Sequence, residues 1–165
     1  MWRYMLIIIT LWAGGMATNA AATAPSLTLN QLVVKMAIAD GVSMDEAVDS
    51  MKLRANQLNM KLVAHQPLSQ EFKALNLPDA RRTEIFQFCD APIAKEMIDF
   101  EIIFAAFMPC RIALVEDKAG KGWLIMMNPE FFLTMVTLPE TLQQKATKIR
   151  DNLMQIISAA AQGEL

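Results

Sequence analysis

The chain has 165 residues, 54% of them hydrophobic, with 15 basic and 17 acidic side chains and a net charge of -2. That apolar content excludes a disordered chain and promises a packed core, and the length suits one compact domain once any export segment is set aside. No basic block occurs, so nucleic acid is excluded as an expected partner, because phosphate binding needs a cationic patch.

The first 24 residues carry a targeting pattern. Arg3 follows the amino terminus, Met5 to Trp12 is almost wholly apolar, and small residues run from Ala13 to Ala24. This is the form of a secretory signal peptide with cleavage after Ala20 or Ala22. The rival is an uncleaved inner-membrane anchor, since no charge intervenes between Arg3 and Lys35 and the window approaches the roughly 20 residues that span a bilayer. Both place the remainder on the periplasmic side of the cell envelope. Residues 25–31 read as a polar spacer, and residues 32–165 as the folded domain.

Leu32, Val34, Met36 and Ile38 alternate, which predicts a strand, and Asp40-Gly41 turns the chain. Ser43-Met44-Asp45-Glu46 is a capping box opening a helix whose apolar face is Met44, Ala47, Val48, Met51, Ala55 and Leu58. Met60 to Ala64 reads as the next strand, with Met60, Leu62 and Ala64 on one face and Lys61, Val63 and His65 on the other. A short helix over Ser69 to Leu75 ends at Asn76-Leu77-Pro78-Asp79. Ile85 to Cys89 is an aromatic strand. Asp90 then caps a helix with Pro92 in its first turn, which is expected to continue through Phe104 until Pro109 stops it. Arg111 to Glu116, a turn at Asp117 to Lys121, and Gly122 to Met127 form a hairpin. Asn128 caps a helix expected to bury Phe131, Phe132 and Met135. The last helix, from about Pro139 to Ala161, carries the stripe Leu142, Ala146, Ile149, Leu153, Ile156 and Ala160. The expected fold is therefore α+β: about five strands in the order β-α-β-α-β-α-β-β-α-α, packed against helices, with a long C-terminal helix.

The segments Phe88-Cys89-Asp90-Ala91-Pro92, Ala106-Phe107-Met108-Pro109-Cys110-Arg111-Ile112, Val115-Glu116-Asp117, Gly120-Lys121-Gly122-Trp123-Leu124 and Asn128-Pro129 resemble the domain of unknown function 302 family. The likeness is greatest to exported bacterial members with two cysteines and extends from Leu32 to the C-terminus. It implies a small α+β domain, often dimeric, without a settled activity. The chain departs from the family pattern at Ile102 and Ala105, where relatives tend to carry proline and glycine. There Phe100, Ile103, Phe104, Phe107 and Met108 are expected to form an apolar interface.

Cys89 and Cys110 are the only cysteines. In an exported protein an even number invites a disulfide, which would close a loop of about 20 residues and contribute roughly 3 kcal/mol on the chain-entropy model. If their strands are parallel neighbours the cysteines lie at opposite sheet edges. If the strands are antiparallel they share one edge. Two free thiols are the second reading, and a copper or haem role using Cys89, Cys110, the single His65 and Met108 the third. Against the third, no cysteine pair or histidine pair has metal-ligand spacing, and the 13 methionines suit core packing. No phosphate loop or nucleophile elbow occurs, so no catalytic residue and no resident cofactor is expected. Two functions remain: a non-catalytic interaction module that binds itself or a membrane protein complex, touching the membrane only through its N-terminal segment, and a small redox or metal-binding protein.

Overall fold

The computed structural model describes residues 27–164; the expected signal peptide or anchor and the beginning of the expected spacer lie outside the described residues. The elements are α1 (Leu29–Leu32), β1 (Val33–Ala37), α2 (Met44–Gln57), β2 (Lys61–Gln66), α3 (Leu68–Ala74), β3 (Thr83–Cys89), α4 (Ala91–Phe100), a 3-10 turn (Ile102–Phe107), β4 (Cys110–Glu116), β5 (Gly122–Met127), α5 (Pro129–Thr134) and α6 (Glu140–Gln162). The five strands form one sheet in the order β1-β5-β4-β3-β2, with every neighbouring pair antiparallel. The α+β architecture, the element order and the long last helix are as the sequence pattern predicts.

Period-two alternation builds the main core. Phe86 and Phe88 of β3, Ile112 and Leu114 of β4, and Leu124 and Met126 of β5 are all buried on one face. Against them lie Ala47, Val48, Met51 and Ala55 of α2 with Leu153, Ile156, Ile157 and Ala160 of α6. The predicted faces of both helices are thus the ones that are covered. The opposite sheet face carries half-buried Ile85, Ala113, Val115, Trp123 and Ile125. There the Lys35 ammonium lies 4.0 Å from the Trp123 ring centroid and the indole N–H donates to Asp117 Oδ2 at 2.8 Å. A second, smaller core gathers Ile93, Met97, Phe104 and Leu142 beside Met108, Phe132 and Ile149.

Local signals set the helix ends. Ser43 accepts from Glu46 N–H at 3.1 Å while Glu46 accepts from Ser43 N–H at 2.7 Å, closing the capping box. Asp90 accepts from Ile93 N–H, and Asn128 from Glu130 and Phe131 N–H. At the far end of α6, Gly163 adopts φ 66°, and its N–H and that of Glu164 return to Ala160 and Ala159 carbonyls. Glycine avoids the Cβ cost of this left-handed cap.

Four expectations are corrected. Leu32 is not the first strand residue: the Thr28–Gln31 capping box winds Leu29–Leu32 into a single helical turn, and β1 starts at Val33. In β2 the register shifts between Leu62 and Ala64, so that Leu62 opposes Phe88 and His65 opposes Phe86. Directly opposed residues share a face, and the extra residue therefore brings Leu62 and His65 to the same side instead of opposite ones. The helix after Asp90 ends at Phe100, because Glu101 is extended (φ -155°, ψ 119°) and its carboxylate accepts from Ile103 N–H. A new 3-10 turn then rotates Phe104 into the small core, where it is 7% exposed, and leaves Ile102 and Ile103 at 74% and 65%. Finally, α5 buries no residue fully; Phe131 and Phe132 are half-buried and Met135 is exposed.

Candidate functional site

β3 and β4 are antiparallel neighbours, and Phe88 lies directly opposite Cys110. Cys89 at the end of β3 and Cys110 at the start of β4 therefore share one end of the sheet, one residue out of register. Both are free thiols in the structure. They line a recessed cavity of about 180 Å3 between the sheet end, α4, the 3-10 turn, α5 and α6. Met60, Met97, Met108 and Met127 line the same cavity, so six sulfur side chains from separate parts of the chain converge there.

The thiols are held protonated. Burial pushes Cys110 up to about 11, with the neighbouring Cys89 adding to the shift. Cys89 moves up as well, through burial and the nearby Asp90 charge. At neutral pH both behave as small apolar side chains with a weak donor.

Among the other predicted site residues, Met108 joins the cysteines and His65 does not. His65 stacks on Phe86, with ring centroids 4.4 Å apart and planes 10° from parallel, and its Nε2 lies 2.6 Å from Glu84 Oε2. It is absent from the cavity lining. Arg82 holds the same carboxylate through Nε at 2.5 Å and reaches Asp45 through Nη1 at 2.7 Å, tying β3 to the start of α2. Burial raises the Glu84 pKa, but hydrogen bonds and charge from Arg82 and His65 outweigh it, so the carboxyl lies below its ordinary value. A depressed carboxylate contributes stability that is present above the unfolded pKa and is lost as pH falls through the folded one. Arg82→Ala is accordingly expected to cost about 1–2 kcal/mol near pH 7. In urea melts of both proteins the gap should shrink as pH falls below the ordinary carboxyl value of 4.5 and through the lowered folded one; a gap that persists once the carboxyl is protonated would show that packing, not charge, is what Arg82 supplies.

Of the predicted interface residues, Phe104 is buried, Met108 is half-buried, and Phe100, Ile103 and Phe107 are exposed. The exposed ones line an open groove completed by Leu29, Met127, Phe132 and Met135. Periodicity within the Phe100–Met108 stretch could not show Leu29 or Met127 as members, since they come from just before β1 and from the last residue of β5, which meet at one end of the β1–β5 pairing, where Val33 opposes Met127. Among the described residues Glu101 is the one charged side chain on the groove lining, and it caps the 3-10 turn. Phe104, Phe107, Met127 and Phe132 line both groove and cavity, so one largely aromatic wall separates them.

The fold defines the class: a small α+β domain of five antiparallel strands with two long helices on one face, bearing a sulfur-lined cavity at one sheet end. The model of the family described as "Domain of unknown function DUF302" matches residues 34–160, and the chain belongs to that family. The crystal structure of the uncharacterized conserved protein DUF302 from Bacillus stearothermophilus superposes with a TM-score of 0.66 at 15% identity. The match covers 78% of this chain and 98% of that one, and at such identity it shows the shared fold alone. No curated protein matches the chain.

Proposed function

We propose that the chain is a non-catalytic accessory module of the cell envelope that works by apolar contact through the groove, docking on a membrane protein complex or on a second copy of itself. It would stand on the periplasmic side, either processed and soluble or held in the inner membrane by its N-terminal segment. The observation that carries this reading is the concentration of exposed large apolar side chains on one groove, among them Leu29 at 79%, Met135 at 67% and Ile103 at 65%. Contiguous apolar surface of this kind costs roughly 25 cal/mol per Å2 left in water and marks interfaces. A non-catalytic role is supported by the thiols, which are protonated and not paired with the single histidine.

The alternative, a small redox, copper or haem protein, draws on the meeting of Cys89, Cys110 and Met108 on one cavity. With His65 engaged by Glu84, its donor set keeps only sulfur, and we place it second.

The test is Ile103→Asp combined with Met135→Asp in the full chain. Both sites are exposed, so unfolding stability should change by no more than about 0.5 kcal/mol. A photo-cross-linker placed at Ile102 in the native envelope should give a discrete protein adduct that the double variant loses. A wild-type chain that yields no protein adduct there and sediments as a monomer would sink the docking reading.

A further inference from the structure

The cavity behind the aromatic wall has a chemistry of its own, independent of the docking role proposed for the groove. Its volume of about 180 Å3 exceeds the ~150 Å3 of a dry apolar cavity that accepts benzene. Its four methionines are unbranched and flexible, the side chains that let an apolar site repack around ligands of differing shape. The cysteines add no charge at neutral pH.

Among the described residues three charged ones reach the lining: Asp90, Arg111 and Arg150. Asp90 is committed to Ile93 N–H at 3.2 Å as the cap of α4. Arg150 is committed to Glu130 at 2.7 Å and to Asp151 at 2.9 Å. Arg111 is exposed and makes no ion pair among the described residues. The site therefore combines an apolar chamber with one uncommitted cation beside it. A neutral hydrocarbon would use the chamber and leave the cation idle, whereas an inorganic anion would use the cation and leave the chamber empty. An amphipathic anion uses both, as ligand sites that orient an apolar body by a few polar groups do.

We infer that the cavity binds the apolar tail of a small amphipathic anion, a fatty carboxylate, with its head group at Arg111. Phe104, Phe107 and Phe132 stand between cavity and groove, which gives a longer tail an apolar exit.

Octanoate and neutral n-octanol are the probes, titrated into the full chain carrying 13C-methyl methionine. Octanoate should shift the methyl resonances of Met60, Met97 and Met108 and leave Met51, in the main core, unmoved. It should bind roughly tenfold or more tightly than n-octanol, the advantage of a charge-assisted contact. Arg111→Gln should remove that advantage without changing n-octanol binding. Ala146→Phe, which fills the cavity from α6, should weaken both. If that variant does not fold, N-ethylmaleimide on Cys89 of the wild type is the substitute blocker. Octanoate that shifts none of the three methyls would overturn the inference, as would an unchanged octanoate preference in Arg111→Gln or full binding by the blocked protein.

Discussion

Phe86→Ala is expected to lower the unfolding free energy by about 3–5 kcal/mol, the usual cost of deleting a buried aromatic side chain. Phe86 is fully buried at the centre of β3, opposite Ile112 on one side and His65 on the other. Its loss removes apolar transfer energy, opens a cavity under α2, and takes away the ring on which the His65 imidazole stacks. Close-packed interiors relax only partly around such a void. The measurement is the urea midpoint with an unchanged m-value. A shift worth less than about 1 kcal/mol would mean that the sheet and α2 collapse together and that the core is less tightly fitted than its burial indicates.

Cys110 provides the second large effect. With its pKa pushed up to about 11 from an ordinary value of 9.0, its thiolate fraction at about pH 8 is roughly a hundredfold below that of an ordinary cysteine. Alkylation of the reduced, folded chain by iodoacetamide should therefore be about a hundred times slower at Cys110 than in denaturant. Proton linkage sets the sign of the effect on stability. A thiol whose folded pKa exceeds its unfolded one contributes stability that is fully present below the unfolded value and is lost as pH rises through the folded one. Unfolding should thus become easier between pH 9.0 and about 11, and Cys110→Ala should flatten that alkaline limb. Equal alkylation rates in the folded and denatured chains would refute the buried, protonated site. In the chain as isolated, before any reduction, complete resistance in denaturant until a reductant is added would instead reveal a Cys89–Cys110 bridge.

The sheet end shared by these two residues marks a limit of local sequence information. Alternation places each cysteine correctly at the end or start of a strand but leaves open the choice between parallel and antiparallel neighbours, because pairing direction depends on which strands meet. The order β1-β5-β4-β3-β2 settles it. His65 illustrates a different limit. A period-two count through Lys61 to His65 places it on the face opposite Leu62, and the register shift that reverses this carries no glycine or proline to announce it. The stretch after Phe100 is a third case: apolar residues continue at helical spacing, but Glu101 turns its carboxylate back onto Ile103 N–H, and the chain breaks into a 3-10 turn. The local side-chain bond competes with the helix there, as it does wherever a short acidic side chain can cap a new turn.

By itself the sequence determined the element order, the α+β class, the caps at Ser43, Asp90 and Asn128, and the buried faces of α2 and α6. These depend on residues within one or two turns of each other, and alternation and capping are written in such neighbours. Only the tertiary structure decided the strand order, the bulge in β2, the burial of Phe104, and the meeting of Cys89, Cys110 and four methionines on one cavity beside Arg111. Those features arise from contacts between residues far apart in the chain, where the packing of the sheet against α2 and α6 outweighs any local preference.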